Sequence, residues 1–313
     1  MSSKKVLSAV VPCFNESDVL PAFYKEMTRV FKDLENRVTL ELIFVDDGSK
    51  DNTLQIIKQF ASNDQRVKYI SFSRNFGKEA AMYAGLKNAK GDYNVLIDAD
   101  LQHPPALLPV MLDAIEYEGY DSVATCRTDR KGEAKIKSFL SNAFYGFFRK
   151  ICKLDIKNGA GDFRLMTRQM TDSVLSLCEN QRFTKGILSW VGFKTKWVEH
   201  ENVQREAGQS KWSVLSLAKY SIEGIVGFST FLLRLPTFLG LALGAVSIVW
   251  YIVLLILKIC AVKTLGLSAA VATILFVGAL ILVSIGLSNE YISKVYLEIK
   301  DRPVFITKET NIK

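Results

Sequence analysis

Asp98 and Asp100 stand one residue apart where the apolar run Tyr93–Ile97 ends, and Gln102 follows two residues later. If the chain turns there, both carboxylates can face one hard cation, and the Gln102 amide supplies a further oxygen. Mg2+ or Mn2+ held by one or two carboxylates takes its other ligands from substrate phosphates. Such an ion offsets the charge of a diphosphate leaving group. Taken alone, the Asp-x-Asp pair equally describes a solvated turn.

Three further polar clusters close three further apolar runs. Leu7–Val11 runs into Pro12-Cys13-Phe14-Asn15-Glu16. Leu40–Val45 runs into Asp46-Asp47-Gly48-Ser49, a capped turn or a set of acceptors for a base N–H or ribose hydroxyls. Val67–Phe72 is followed by Arg74 and Lys78, which are surface charges or contacts for a nucleotide diphosphate. The specificity lies in the coincidence of four clusters on four successive runs. No GxGxxG and no Walker A loop accompanies them.

Short runs rich in β-branched residues read as parallel strands buried on both faces. Ser122–Thr125 is a fifth, and helical patterns near Val19–Leu34, Thr53–Ala61, Lys78–Asn88 and Ala106–Glu116 separate the runs. Ser17 and Asp51 are expected N-caps. This alternation predicts an α/β, doubly wound sheet, in which ligands bind at the carboxyl ends of the strands. The polar clusters fall there.

The chain has 313 residues, 49% hydrophobic and 23% charged, which excludes disordered and low-complexity classes. Seven Lys/Arg against four Asp/Glu from residue 235 onward leave +5 of the net +8 to the first 234 residues. That balance suits anionic lipid or phosphate ligands and lacks the dense basic runs of a nucleic-acid binder. Five cysteines without a CxxC indicate reduced thiols, and His103 and His200 are too few for a histidine-rich metal centre. No signal peptide is visible, so the N-terminal part is expected in the cytoplasm.

Leu235–Leu257 and Thr264–Ser288 carry no charge over 23 and 25 residues, enough for two membrane-spanning helices. The short link 258–263 makes them an antiparallel hairpin. Lys219 and Arg234 before it, and Lys294, Lys300, Arg302, Lys308 and Lys313 after it, place both ends in the cytoplasm. Segment 213–234 mixes Lys219 and Glu223 with leucine, isoleucine and phenylalanine, as a helix lying in the membrane interface does. Segment 136–151, aromatic and basic, is either a second such helix or one packed on the domain core.

The segments VVPCFNE (10–16), VDDGSKDNT (45–53), RNFGKEAA (74–81), DADLQHPP (98–105), GAGDFRL (159–165) and AGQSKW (207–212) together resemble the family 2 glycosyltransferases. Within that family the chain is similar to the polyprenyl-phosphate glycosyltransferases: the bactoprenol glucosyltransferases and dolichol-phosphate mannose synthases. The tail at 289–306 also resembles the bactoprenol branch. The resemblance implies a GT-A (Rossmann-like) glycosyltransferase domain at 1–212 and an interfacial helix at 213–234. A two-helix transmembrane hairpin within 235–288 and a cytoplasmic tail at 289–313 complete the expected order.

It also implies roles. Pro12, Asn15 and Glu16 would line the nucleotide pocket, with Asp46 at the base and Asp47 beside it. Lys78 would approach the diphosphate, while Asp98, Asp100 and Gln102 would hold Mg2+ or Mn2+. Arg127 and Arg130 would meet the lipid phosphate, and Arg205, Ser210 and Lys211 would close over a phosphate. Asp162 occupies the place of a carboxylate that deprotonates acceptor hydroxyls in many relatives. A lipid phosphate is already an oxyanion, so orienting the sugar or coordinating a cation is the other role open to it.

The reaction implied is inverting transfer of a sugar, glucose first, from a UDP-sugar to undecaprenyl phosphate at the cytoplasmic membrane face, for modification of a cell-envelope glycan. N-acetylglucosamine, galactose and mannose remain open. The resemblance further implies a homo-oligomer, a tetramer. A processive polysaccharide synthase is disfavoured because Gly208-Gln209-Ser210-Lys211-Trp212 stands where those enzymes carry Gln-x-x-Arg-Trp. A nucleotide-sugar sensor would not need Asp98, Asp100 and Gln102.

Overall fold

The computed structural model describes residues 4–127, 160–177, 179–180, 182–200, 225–259 and 267–312, with the single positions 146, 149–152, 154 and 157 between them. It divides into two compact units, Met1–Lys219 with Pro303–Lys313, and Tyr220–Arg302.

The first unit is an eight-stranded sheet. Its strands are β1 (Lys5–Cys13), β2 (Val38–Asp46), β3 (Val67–Phe72), β4 (Tyr93–Leu96), β5 (Ser122–Arg127), β6 (Ala160–Thr167), β7 (Thr195–His200) and β8 (Thr307–Thr310). Their order is β7-β5-β6-β4-β1-β2-β3-β8. Strands β1 to β4 are mutually parallel, as the β-branched runs predict. The sheet as a whole is mixed. β6 runs antiparallel between β4 and β5, and β8 runs antiparallel along β3. Both insertions come from chain segments far away in sequence, which local patterning does not report.

Helices α1 (Leu20–Leu34), α2 (Thr53–Asn63), α3 (Lys78–Asn88) and α4 (Leu108–Glu116) connect the first five strands; a 3₁₀ turn over Pro105–Leu107 precedes α4. Leu20, Phe23, Met27, Val30, Phe31 and Leu34 recur at helical spacing and bury one face of α1. In α3 the buried residues are mostly small, and a Cβ on Gly85 would lie 2.1 Å from Val10 Cγ1. This close approach seats α3 directly on β1 and so fixes where its first residue, Lys78, stands.

Ser17 and Asp51 do not occupy the N-cap positions. Val19 and Asn52 do, without side-chain capping bonds. Asp51 instead accepts from the backbone N–H of Thr53 at 3.0 Å and of Ser17 at 3.2 Å, which joins the loops after β1 and β2.

Beyond β6 lie α5 (Arg168–Ser176) and α6 (Thr184–Trp190). The second unit contains α7 (Phe231–Ile259) and α8 (Leu267–Ile299), both long and apolar enough to cross a membrane by length and composition. Their apolar side chains are exposed: Leu241 by 68%, Val246 by 65%, Ile274 by 70% and Leu282 by 71%. α8 continues past Ser288 through Glu290, Lys294 and Glu298, because backbone hydrogen bonding propagates a helix regardless of where its apolar stretch ends.

Candidate active site

The sheet order departs in opposite directions from β1, to β4 on one side and β2 on the other, so a crevice opens at the carboxyl ends of β1 and β4. The loops 13–16 and 98–102 meet there. The antiparallel register pairs Leu96 with Arg164, so the start of β6 runs past the end of β4. Asp162 is thereby brought to Asp98.

Lys78 joins them. Its Nζ lies 2.7 Å from Asp98 Oδ1 and 2.9 Å from Asp98 Oδ2, and donates to Asp162 Oδ2 at 2.6 Å. Lys185, from the first turn of α6, adds a looser pair to Asp162 Oδ1 at 3.6 Å. Burial works against the Lys78 ammonium, but the Asp162 and Asp98 charges outweigh it and hold its pKa far above the ordinary range. Burial also opposes ionisation of Asp162, and Lys78 and Lys185 overcome it, so this carboxyl sits well below the usual range. Asp98 moves the other way. Burial raises it, and the carboxylates of Asp162 and Asp100 add repulsion that Lys78 only partly cancels.

Asp100 Oδ1 accepts the backbone N–H of Gln102 at 3.1 Å and shapes the turn, whose Leu101 has φ 56°. Among the described residues, no three His, Cys, Asp or Glu side chains form a shell able to hold a metal ion from the protein alone. Two carboxylates and one amide oxygen form a partial donor set, the kind that Mg2+ or Mn2+ completes with substrate phosphates. The mutual repulsion that raises Asp98 is relieved by a further cation, so these residues fit a divalent ion.

Asp46 and Asp47 are buried and hold turns. Asp46 accepts from Ser49 N at 3.1 Å and Ser71 Oγ at 2.9 Å. Asp47 accepts from Phe76 N at 2.6 Å and Gly77 N at 2.9 Å, and burial pushes its carboxyl up despite these bonds. Gly48 has φ 68°, and a Cβ there would lie 2.6 Å from the Arg74 carbonyl carbon. Only glycine lets the β2 and β3 loops approach this closely. Arg74 itself packs over the Phe76 ring at 4.0 Å.

Pro12, next to last in β1, pairs with Val45. Asn15, at φ 55°, accepts from Lys50 N at 2.8 Å, and its own N–H donates to Ser49 Oγ. Glu16 N donates to Thr53 Oγ1 at 2.8 Å. The β1 and β2 loops are thus one laced wall. Arg127 is the last residue of β5, opposite His200. Its side chain lies outside the described residues, as do Arg130, Arg205, Ser210, Lys211 and most of segment 136–151.

Four features of this site depend on contacts that the linear sequence does not specify. The two histidines meet, His103 Nδ1 lying 3.2 Å from His200 Nε2, both buried. Gly161 makes room for His103, since a Cβ would sit 2.5 Å from its Cε1. Glu79 accepts from the N–H and hydroxyl of Thr184, which ties α3 to α6. Arg164 projects from the same face of β6 as Asp162 and is 7% exposed. The sequence offers only the position of His103, directly after the Asp-x-Asp loop, and the GAGDFRL segment, whose Gly159, Gly161 and Arg164 fit a tight loop beside the sugar.

A mixed sheet whose parallel strands end in a lysine-bridged carboxylate cluster at the point of reversed strand order defines a Rossmann-type α/β enzyme domain. The chain belongs to glycosyl transferase family 2, whose sequence pattern matches residues 8–175, and its fold is GT-A-like. It is 40% identical over 308 residues to the SfII prophage-derived bactoprenol glucosyl transferase of Shigella flexneri, spanning 97% of this chain and 98% of that one. It is 41% identical over 309 residues to CsbB of Bacillus subtilis (strain 168), spanning 98% of this chain and 92% of the relative. Among solved structures, it is similar to the glucosyl-3-phosphoglycerate synthase of Mycobacterium tuberculosis in complex with Mn2+, UDP-glucose and phosphoglyceric acid. Identity there is 20%, the TM-score 0.48, and coverage 71% of this chain and 78% of that one.

Proposed function

We propose that this enzyme transfers glucose from UDP-glucose to a polyprenyl phosphate, undecaprenyl phosphate in a bacterial membrane. The observation that carries this reading is the 40% identity, across nearly the whole length, to proteins named bactoprenol glucosyl transferase. The acceptor phosphate oxygen attacks the anomeric carbon of glucose. A new carbon–oxygen bond forms, the bond from that carbon to the UDP oxygen breaks, and the electron pair leaves with UDP. The configuration inverts. No proton needs to be removed from the acceptor, so Asp162 is not required as a base; its bond to Lys78 suits a role in fixing the site.

A divalent Mg2+ or Mn2+, when bound, supplies positive charge for the diphosphate, and Asp98, Asp100 and Gln102 are the residues that would hold it. Pro12, Asn15, Glu16 and Asp46 wall the nucleotide side. Lys78 keeps Asp98 and Asp162 together at fixed separation, which is positioning of the kind that contributes most to such displacements.

The membrane assignment rests on α7 and α8. Residues before 220 and after 302 belong to the same compact unit, so a chain that crosses the bilayer through these helices must cross an even number of times. A hairpin with both ends cytoplasmic, the segment 213–234 in the interface and a homo-oligomeric assembly belong to this proposal. Detergent-solubilised enzyme offered a panel of UDP- and GDP-sugars with undecaprenyl phosphate, read by lipid mass, tests the function. One added hexose from UDP-glucose alone is expected. Transfer only from GDP-mannose, or a polymer in place of a single addition, overturns it.

A further inference from the structure

His103 and His200 come from parts of the sheet that lie apart. His103 follows β4 by way of the turn 98–102, His200 ends β7, and β6 and β5 stand between those two strands. Their rings meet nonetheless, His103 Nδ1 lying 3.2 Å from His200 Nε2 with the ring centres 5.1 Å apart. Both side chains are buried. A leucine pair would fill the same space without the cost of desolvating two imidazoles. What the nitrogen pair adds is direction, since a hydrogen bond weakens steeply when it bends.

The place it fixes is beside the carboxylates. Between the pairs Ala124–Arg164 and Cys126–Ala160 the β5–β6 register slips, so Gly161, Asp162 and Phe163 stand opposite Thr125 alone. A bulge of this kind re-aims side chains next to a site. The His103 ring is seated against it. A Cβ on Gly161 would lie 2.5 Å from His103 Cε1 and 2.9 Å from its Nε2, and the Phe163 ring centre is 6.0 Å away. On its other side His103 follows Gln102 in the chain, and the Gln102 N–H donates to Asp100 Oδ1 at 3.1 Å. The imidazole is thus a wedge between the turn that carries Asp100 and Gln102 and the bulge that carries Asp162.

We infer that His200 is a positioning residue for the metal-binding turn. Acting through His103, it keeps the wedge from rotating and holds Asp100 and Gln102 in the orientation in which they and Asp98 face one divalent ion. The inference rests on the assignment of the metal to Asp98, Asp100 and Gln102, and adds to it a residue 97 positions beyond His103. Gly161 belongs to the same device, because only a residue without a Cβ leaves the ring its seat.

The test reads metal binding rather than turnover. Electron paramagnetic resonance of Mn2+ follows its uptake by the full-length enzyme in detergent, at saturating UDP and corrected for the Mn2+ that UDP binds in solution. Groups that orient metal ligands change metal affinity by about tenfold to a hundredfold, so His200→Leu should raise the Mn2+ dissociation constant about tenfold. His200→Gln should bind Mn2+ nearly as native does, because the glutamine amide reaches as far as Nε2. Gly161→Ala removes no polar group and crowds the ring, and should raise the constant as His200→Leu does. The double variant should be no worse than the single ones, since both act through one imidazole. At saturating Mn2+ the KM values for UDP-glucose and for the lipid phosphate should return to native.

Unchanged Mn2+ affinity in His200→Leu overturns the inference. So do effects that add in the double variant, or a His200→Gln as weak as His200→Leu. Melting temperature reports whether His200→Leu has folded. If it has not, Gly161→Ala decides alone: a raised constant upholds the inference and an unchanged one removes it. If the native enzyme takes up no Mn2+ at all, the metal assignment itself fails, and the positioning role falls with it.

Discussion

Lys78 Nζ donates a 2.6 Å hydrogen bond to Asp162 Oδ2, joining the first residue of α3 to the third of β6 across 84 positions of sequence. The same ammonium holds Asp98, so removing it leaves two repelling carboxylates. Each charge-assisted contact is worth roughly 1.5–3 kcal/mol. Lys78→Met should therefore lower kcat/KM by about tenfold to a hundredfold or more. Steady-state kinetics with UDP-glucose check this; activity within twofold of native would show that the bridge is incidental.

Asp100 shapes the turn that presents the metal-binding candidates by accepting the Gln102 N–H. Asp100→Ala should abolish turnover while membrane insertion and melting temperature stay close to native. Chelation should silence the native enzyme, and added Mg2+ or Mn2+ should restore it. Full turnover in excess chelator contradicts the metal assignment.

β8 pairs along β3, at the edge of the sheet next to the strand ends proposed to bind the donor. Ser73 N donates to Ile306 O at 3.0 Å, Phe305 stacks on Phe72 at 5.0 Å between ring centres, and Lys58 pairs with Glu309 at 2.7 Å. The loop 73–77 braced in this way carries the N–H groups that bind Asp47. Aromatic pairs contribute about 0.5–1.5 kcal/mol beyond burial. Phe305→Ala should lower the melting temperature by a few degrees and raise KM for UDP-glucose more than KM for the lipid, and Phe305→Tyr should restore both. Equal effects on the two constants would separate β8 from the donor site.

Asp64 closes α2 and accepts from Arg66 Nη2 at 2.7 Å and from Tyr24 Oη at 2.9 Å. The Arg66 hydrogen bonds, working against burial, lower its pKa from 3.8 to about 2. A carboxylate lowered on folding stabilises above its unfolded pKa and loses that contribution as pH falls through the folded one. Because Arg66 is 43% exposed, solvent screening reduces the contribution to about 1 kcal/mol. Asp64→Asn should melt a few degrees lower near neutral pH. The difference from native should close between pH 3.8 and about 2. A gap that persists in acid would mean that packing, not charge, is responsible.

The four strand-end clusters were legible in the sequence because each follows a short β-branched run, and a parallel sheet buries such runs and leaves polar residues where they stop. Leu7–Val11 and Leu40–Val45 lie within β1 and β2, Val67–Phe72 spans β3, and all are parallel as the pattern required. The two apolar stretches were legible for a similar reason, since only a long uncharged run meets that length criterion. β6 and β8 were not. GDFRL and TKET carry no local mark of antiparallel pairing, and their partners lie far along the chain.

What the sequence determined by itself is therefore chemistry and neighbourhood: which acids and lysines exist, and that they sit at strand ends. The tertiary structure alone decided which of them share a charge. Asp98 and Asp162 are bridged by Lys78 because the β4–β6 register sets 98 beside 162 and Gly85 lets α3 settle on β1. His103 reaches His200, and Arg164 Nε is buried without a partner among the described residues, through the same strand insertion. Electrostatic coupling depends on distances of a few ångströms, and those are set by register and packing between segments that the linear order keeps apart.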